Sequence, residues 1–380
     1  MARRPPDNIY FATTSMGLER ALSGELERLG ARGVRRGSGG VNFRGDRSMM
    51  MKACVSLRTA HRVLWMLGDF DASDQHALYD GVRRVARWTG LITPDRTLAV
   101  HATTRDSNIG DTRILGMKTK DAIVDAIRDE HGIRPSVDRY DPDVRIHLRV
   151  VRNRASLGLD SAGESLHVRG YRTDAGPAPL RETLAAGMLS LLAWDGSTPL
   201  VDLFCGSGTL TIEAALISAR RDPGLLGRRY GFERWPGHRP ERLDAILDAA
   251  EARIRPASGT IRGYDISQRA IGIALDNIER AQVQSRVFVK KADALSLRPP
   301  EGPPGLLVGN PPYGERMGDV SSLLPMYKGL GEALRSRFKG WRLGLFLADR
   351  RFHDALGLES TRQWRLKQGP LDVTLFEYQL

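Results

Sequence analysis

The stretch Val201-Asp202-Leu203-Phe204-Cys205-Gly206-Ser207-Gly208-Thr209-Leu210-Thr211 constrains the fold more than any other part of this 380-residue chain. An apolar run reaches an acid, breaks at two glycines and resumes with helix-forming residues, which is the order strand, turn, helix. Gly206 and Gly208 allow close backbone approach to a ligand, and the helix that follows offers unbonded N–H groups. Such a unit belongs to a doubly wound α/β domain with a parallel sheet. From 182 onward the alternation fits that fold: helix over 182–192, strand 200–204, helix 209–219, strand 259–264, helix 268–281, strands 286–290 and 305–308, helix 323–337 and strand 342–347. Residues 220–258, rich in Pro, Gly and aromatics before a helix near 241–253, read as an insertion.

The first 160 residues have a different texture, α+β, with short strands expected at 9–12, 40–43, 61–67, 97–104, 144–151 and 154–159. Helices are expected at 17–29, 46–59, 74–88 and 112–130, and strands split around two helices are a ferredoxin-like signature. Between these halves, 161–179 is rich in Gly, Pro and small polar residues, as expected of a linker.

Hydrophobic residues make up 41% and charged residues 27%, and no apolar run approaches the roughly 20 residues of a membrane span. A membrane partner is not expected. The apolar run at 9–12 is too short for a signal peptide, so a cytoplasmic location is the expectation. Cys54 and Cys205 stand alone, outside any Cys-x-x-Cys or Cys/His cluster, so neither a metal site nor a disulfide framework is expected. Lys plus Arg number 57 against 45 Asp plus Glu, a formal charge of +12 that suits a polyanionic partner or, equally, a solvated basic surface.

A lone Gly-x-Gly does not identify a ligand. A dinucleotide fingerprint would place a third glycine where Thr211 stands and a ribose-binding acid about 20 residues on, whereas the next strand-end acid is Asp265. S-adenosylmethionine fits better, having no pyrophosphate and carrying an amine and a sulfonium. Asp202 is expected at its amino-acid end, Asp265 at the ribose hydroxyls and Asp293 at the adenine amine. Each acid alone could equally cap a helix.

The fourth strand ends in Gly309-Asn310-Pro311-Pro312-Tyr313-Gly314-Glu315-Arg316. Two successive prolines fix φ and hold the residue before them extended, so Asn310 and the Pro311 carbonyl become rigid acceptors. An exocyclic base amine is a weak nucleophile because its lone pair is delocalised into the ring. Hydrogen bonds from its N–H groups to these acceptors would localise the pair towards a sulfonium methyl. Tyr313 offers a face on which the extruded base can stack, Pro312 fixes the turn between them, and the competing reading is simply a rigid turn. A cytosine-C5 mechanism would need a cysteine here, and Cys205 lies in the cofactor turn instead.

These motifs belong to a wider set: Thr14-x-x-Gly17-Leu18-Glu19, Gly39-Gly40-Val41-x-Phe43-x-Gly45, the run Met117–Ala126, Leu166-His167-x-Arg169-Gly170-Tyr171-Arg172, Glu182-Thr183-Leu184-Ala185-Ala186 and Gly369-Pro370-Leu371-Asp372. Together they make nearly the whole chain resemble the RlmL-type guanine-N2 methyltransferases of 23S ribosomal RNA, in many bacteria the N-terminal half of a bifunctional RlmKL enzyme. The sequence stops at Leu380, so the activity of the fused second methyltransferase is not carried over. The resemblance implies a ferredoxin-like segment over 1–43 with an outer limit near 70, a THUMP domain over 44–160 that binds RNA, a linker over 161–181 and a Rossmann-like catalytic domain over 182–380. It implies that Leu180, Glu182 and Thr183 lie against the cofactor. The full cofactor set expected is these three with Asp202, Phe204, Cys205, Gly206, Ser207, Gly208, Thr209, Asp265, Ile266, Asp293, Ala294 and Asn310.

For RNA, the expected partners are Arg105, Arg113, Lys118, Lys120, Arg145, Arg149, Arg169 and Arg172, with Arg152 and Arg154 adding charge nearby. Strand alternation puts Arg145 and Arg149 on one face. Few aromatics interleave these charges in sequence, so backbone and shape recognition is expected there, and an exposed basic sheet is the plain alternative. Related tRNA guanine-N2 enzymes share the same elements, and Asn-Pro-Pro-Tyr also serves adenine-N6 in DNA and glutamine amides in proteins. A non-catalytic RNA-binding assembly factor is the remaining alternative.

Overall fold

The structure, a computed structural model, describes residues 7–172, 180–256, 259–312, 320–369 and 371–380. Two seven-stranded sheets, each with its own helices, make up the molecule.

The N-terminal sheet runs in the order β2-β3-β1-β4-β7-β6-β5. Its strands are β1 (Asn8–Thr13), β2 (Arg32–Gly37), β3 (Gly40–Gly45), β4 (Arg62–Asp71), β5 (Leu98–Arg105), β6 (Val144–Val151) and β7 (Arg154–Asp160). Only β5 and β6 pair in parallel; the other neighbours are antiparallel. Helices α1 (Glu19–Arg28), α2 (Arg47–Ser56), α3 (Gln75–Val85) and α4 (Thr112–His131) cover one face. Alternation explains why only one face is covered: Tyr10, Ala12, Val41, Phe43, Val63, Leu157, Ile146 and Leu148 point into the same core, and their strand neighbours point away. Asp46, Asp74 and Asp111 accept from the first-turn N–H groups of α2, α3 and α4, and α4 ends on Gly132 at φ 72°.

The segments expected as 1–43 and 44–160 thus share one sheet, because β1 lies between β3 and β4. β2 was not expected as a strand: its residues RGVRRG are almost wholly exposed and show no apolar alternation.

The C-terminal sheet has the order β10-β9-β8-β11-β12-β14-β13. Its parallel part comprises β8 (Leu200–Asp202), β9 (Ile261–Asp265), β10 (Val287–Lys291), β11 (Leu306–Gly309) and β12 (Arg342–Leu347). The antiparallel hairpin β13 (Ser360–Gln368) and β14 (Leu371–Gln379) closes one edge. Helices α5 (Glu182–Leu191), α6 (Thr209–Ser218), α8 (Gln268–Arg280), α9 (Val320–Arg337) and α10 (Arg350–Leu356) flank this sheet, while α7 (Pro240–Glu251) belongs elsewhere.

The insertion braces the two halves. Tyr230, Phe232, Trp235, Leu243, Ile246 and Ala250 join the core of the N-terminal body, where α7 packs on α2. Ser56 donates to Asp222 at 2.6 Å, and the buried Arg58 guanidinium donates to the Leu216 and Arg221 carbonyls at 3.3 and 2.8 Å. The expected linker is also packed where it is described: Ala162, Leu166 and Tyr171 are buried, and Leu166 N–H donates to the His61 carbonyl at 2.7 Å. Among the described residues no helix is long and apolar enough to cross a membrane.

Candidate functional site

The glycine turn lies at the carboxyl end of β8, where the sheet order reverses between β9 on one side and β11 on the other. Gly206 and Gly208 adopt φ 51° and 85°, a region side chains disfavour, and a Cβ on Gly206 would project into open space. Bonds to neighbouring elements hold the turn: Cys205 N–H to the Tyr264 carbonyl at 2.8 Å, Gly206 N–H to Asp265 Oδ2 at 3.0 Å, and Asn277 Nδ2 to the Ser207 carbonyl at 2.9 Å. Asn277 was not anticipated, although an Asn on the apolar face of α8 beside Ala274 and Ile278 was a usable signal.

Asp202 is fully buried; its Oδ1 accepts from Phe204 N–H at 3.2 Å and its Oδ2 has no donor among the described residues. Burial, reinforced by the Asp265 charge, pushes its carboxyl up to about 8. Asp265 spends Oδ1 on Ser267 N–H at 2.9 Å, and the next side chain, Ile266, is 67% exposed at the strand end. Asp293 is exposed and accepts from Leu295 N–H at 3.0 Å, so the capping alternative describes one of its oxygens. Ala294 behind it is buried.

Glu182 and Thr183 open α5 and are both buried. Glu182 Oε2 has no donor among the described residues, and burial raises its carboxyl while Arg172, 3.6 Å away, opposes that rise. Arg172 also donates to the Leu180 carbonyl at 2.7 Å and to Thr209 Oγ1, which ties the segment before α5 to the first residue of α6. Thr183 Oγ1 lies 3.2 Å from His61 Nδ1, and His61 Nε2 lies 3.0 Å from Ser15 Oγ. His61, at the start of β4, therefore couples the N-terminal sheet to α5. Burial and nearby His167 push it down to about 4, so the ring is neutral.

One expectation for RNA needs correction. Arg169 is 3% exposed: it donates to the Arg58 carbonyl at 2.6 Å and to the Leu166 carbonyl, and it lies 3.5 Å from Glu213. It is an internal strut between the halves, not a phosphate contact. Arg172, also expected at RNA, is half-buried and engaged by the Leu180 carbonyl, Thr209 Oγ1 and Glu182. The other cations divide by location. Arg105, Arg145 and Arg149 sit on the uncovered face of the N-terminal sheet, whereas Arg113, Lys118 and Lys120 sit on α4 behind it. Arg113 pairs with Asp111 at 3.1 Å, and Lys120 pairs with Asp121.

Asn310 follows β11, where Val308 is opposite Asp202 in the ladder, and its side-chain Oδ1 is buried without a donor among the described residues. Pro311 is buried and Pro312 exposed, and Tyr327 of α9 donates to the Pro312 carbonyl at 2.9 Å. Tyr313 lies outside the described residues. The Cys205 thiol is buried and its pKa strongly raised by that burial, so it is no nucleophile at neutral pH.

Residues 169–377 match the family described as RMKL-like, methyltransferase domain; residues 10–64 match the RlmL ferredoxin-like domain, and 72–160 the THUMP domain. The chain belongs to the RMKL-like methyltransferase family. A ferredoxin-like domain and a THUMP domain thus precede its Rossmann-like methyltransferase domain. Over 99% of its length this RMKL-like chain is 42% identical to a ribosomal RNA large subunit methyltransferase K/L of Methylococcus capsulatus, of which it spans 52%. Among solved structures, SMU.472 complexed with SAH superposes with a TM-score of 0.90 at 27% identity, covering 99% of each chain. A protein of Clostridium difficile 630 superposes at 0.91 and 29% identity, covering 98% of each.

Proposed function

We infer that this chain transfers the methyl group of S-adenosylmethionine to the N2 amine of a guanine in large-subunit ribosomal RNA. One observation carries the reading: Glu182 Oε2, Asp202 Oδ2 and Asn310 Oδ1, all buried around one glycine turn, are acceptors with no donor among the described residues. Buried acceptors left open in this way cost free energy unless a ligand supplies donors. An amino-acid ammonium suits the two carboxylates, and a base amine suits the Asn310 amide oxygen.

Bound S-adenosylmethionine would supply an electrophilic methyl. Asp202 and Glu182 would hold its ammonium end, and Asp265, already fixing Gly206, would receive the ribose hydroxyls. Asn310 would accept from the target amine, keeping the nitrogen lone pair out of the ring plane's conjugation and aimed at the methyl carbon. Tyr327 donates to the Pro312 carbonyl, which restrains the backbone two residues beyond Asn310. The N–C bond would form as the sulfonium S–C bond breaks, leaving S-adenosylhomocysteine, and the N-methylated exocyclic ammonium is acidic enough to release its proton to water without a protein base. The large-subunit ribosomal RNA substrate is supported by the 42% identity to the Methylococcus capsulatus protein and by the THUMP match.

Labelled methyl should pass from S-adenosylmethionine to unmodified 23S RNA and be recovered as N2-methylguanosine, with Asn310→Ala slowing the transfer by about 10²–10³. Label confined to tRNA would replace the substrate. No label on any RNA, with cofactor binding intact, would refute the reading.

A further inference from the structure

The N-terminal sheet has helices on one face only, and its other face is unlike an ordinary solvated surface. Cross-strand registers fix which residues share that face. One row runs Arg35, Asn42, Phe11, Leu64, Asp160, and a second runs Met66, Gly158, His147, His101. Arg44 stands opposite Ile9, Ser156 opposite Arg149, and Arg154 opposite Val151.

Three properties of this face point to one kind of occupant. Its charge is net positive: Arg35, Arg44, Arg149 and Arg154 are exposed and form no ion pair among the described residues, while the acids on the same face, Asp71 opposite Arg154 and Asp69 opposite Ser156, are fewer. Asp160, the buried acid in the row, is already held by Arg62 and by His147 Nε2 at 3.2 Å. Apolar side chains lie between the arginines: Ile9 is 45% exposed, and Phe11 and Met66 are half-buried. Gly158 keeps the centre low, since a Cβ there would meet Met66 Sδ at 3.0 Å. The aromatic and apolar groups come from β1 and β4, far in sequence from the β6 and β7 arginines, so only the folded sheet interleaves them.

We propose that this open face docks single-stranded RNA, with Arg35, Arg44, Arg149 and Arg154 on phosphates and Phe11 and Met66 beneath unstacked bases. The inference rests on the RNA reading above and deepens it. A duplex keeps its bases stacked inward and would use only the arginines, whereas a strand with splayed bases uses both kinds of group. The α4 cations, two of them locally paired, are the competing surface.

The test uses the full chain and a fluorescent single-stranded oligoribonucleotide taken from its methylated substrate. Arg35, Arg44, Arg149 and Arg154 changed together to Gln should weaken binding at least tenfold and flatten the salt dependence by about 0.7 in slope for each phosphate no longer neutralised. Cofactor affinity should not change. Phe11→Ala with Met66→Ala should weaken single-strand binding while leaving the salt slope unaltered, which a merely structural loss would not do. The inference is overturned if Arg113→Gln with Lys118→Gln weakens binding and the sheet-face variant does not, or if a duplex of equal length binds as well as the single strand. Those outcomes leave the RNA reading standing. Wild-type protein that binds and methylates no RNA would overturn both.

Discussion

Asp265 accepts a hydrogen bond from the Gly206 N–H across 3.0 Å, so the acid ending one strand fixes the turn that ends its neighbour. The same negative charge acts on Asp202, fully buried at the base of that turn, and adds to the burial that raises its carboxyl to about 8. Cofactor recognition should therefore be coupled to a proton. At pH 7 the Asp202 carboxyl of the free protein is mostly protonated, and an incoming ammonium favours the ionised form. Binding of S-adenosylmethionine at pH 7 should release a fraction of a proton, and affinity should rise with pH until it levels near 8. Calorimetry in buffers of different ionisation enthalpy measures this release. Asp202→Asn should abolish it, and an unchanged release in that variant would assign the proton elsewhere.

The same residue should set a conflict between binding and stability. A carboxyl raised from its ordinary 3.8 to about 8 is held more tightly as the acid in the folded chain than in the unfolded one. Its contribution to stability is present below pH 3.8 and is lost as pH rises to about 8. Asp202→Asn removes that loss, so the unliganded variant should melt higher than the wild type at pH 8. The gain should be at least about 1 kcal/mol, since each tenfold change in a protonation equilibrium corresponds to about 1.4 kcal/mol. The two melting curves should converge near pH 4.

Arg169 carries a prediction of the opposite kind. Its guanidinium is buried 3.5 Å from Glu213 and donates to carbonyls at Leu166 and Arg58. Removing it strands a buried carboxylate, so Arg169→Ala should cost about 3–5 kcal/mol in chemical unfolding. RNA affinity of the fraction that remains folded should match the wild type. A selective loss of RNA binding at full stability would restore the contact role that its sequence context suggested.

Arg169 also marks how far sequence could be read. The α/β alternation after 182 and the glycine turn were legible because each is local: apolar strand, acid, glycines, helix. Burial of a single Arg is a tertiary outcome with no local signature, and so is the assignment of the insertion's aromatics to the N-terminal core. The β13 sequence STRQWRLKQ escaped notice because it is an edge strand whose buried residues, Leu366 and Gln368, lie at its far end. The acids Asp202, Asp265 and Asp293 were legible as strand-end residues, but sequence could not tell which would be capped. His61 could not be found, because its partners Ser15 and Thr183 meet it only across the interface between the two halves.

Two substitutions near the reaction site should separate acceptance of the amine from rigidity of the turn. Asn310→Ala removes an oxygen without a donor among the described residues, the one the target amine would meet, and loss of one such group typically lowers kcat by about 10²–10³. Tyr327→Phe keeps the Asn310 oxygen and deletes the 2.9 Å bond to the Pro312 carbonyl. That bond is worth about 1 kcal/mol, so kcat should fall about fivefold. Single-turnover methyl transfer measures both without interference from product release. If the Phe variant were as impaired as the Ala variant, Asn310 would be acting through the shape of the turn; if only the Ala variant lost the chemical step, its oxygen would be the group that meets the amine.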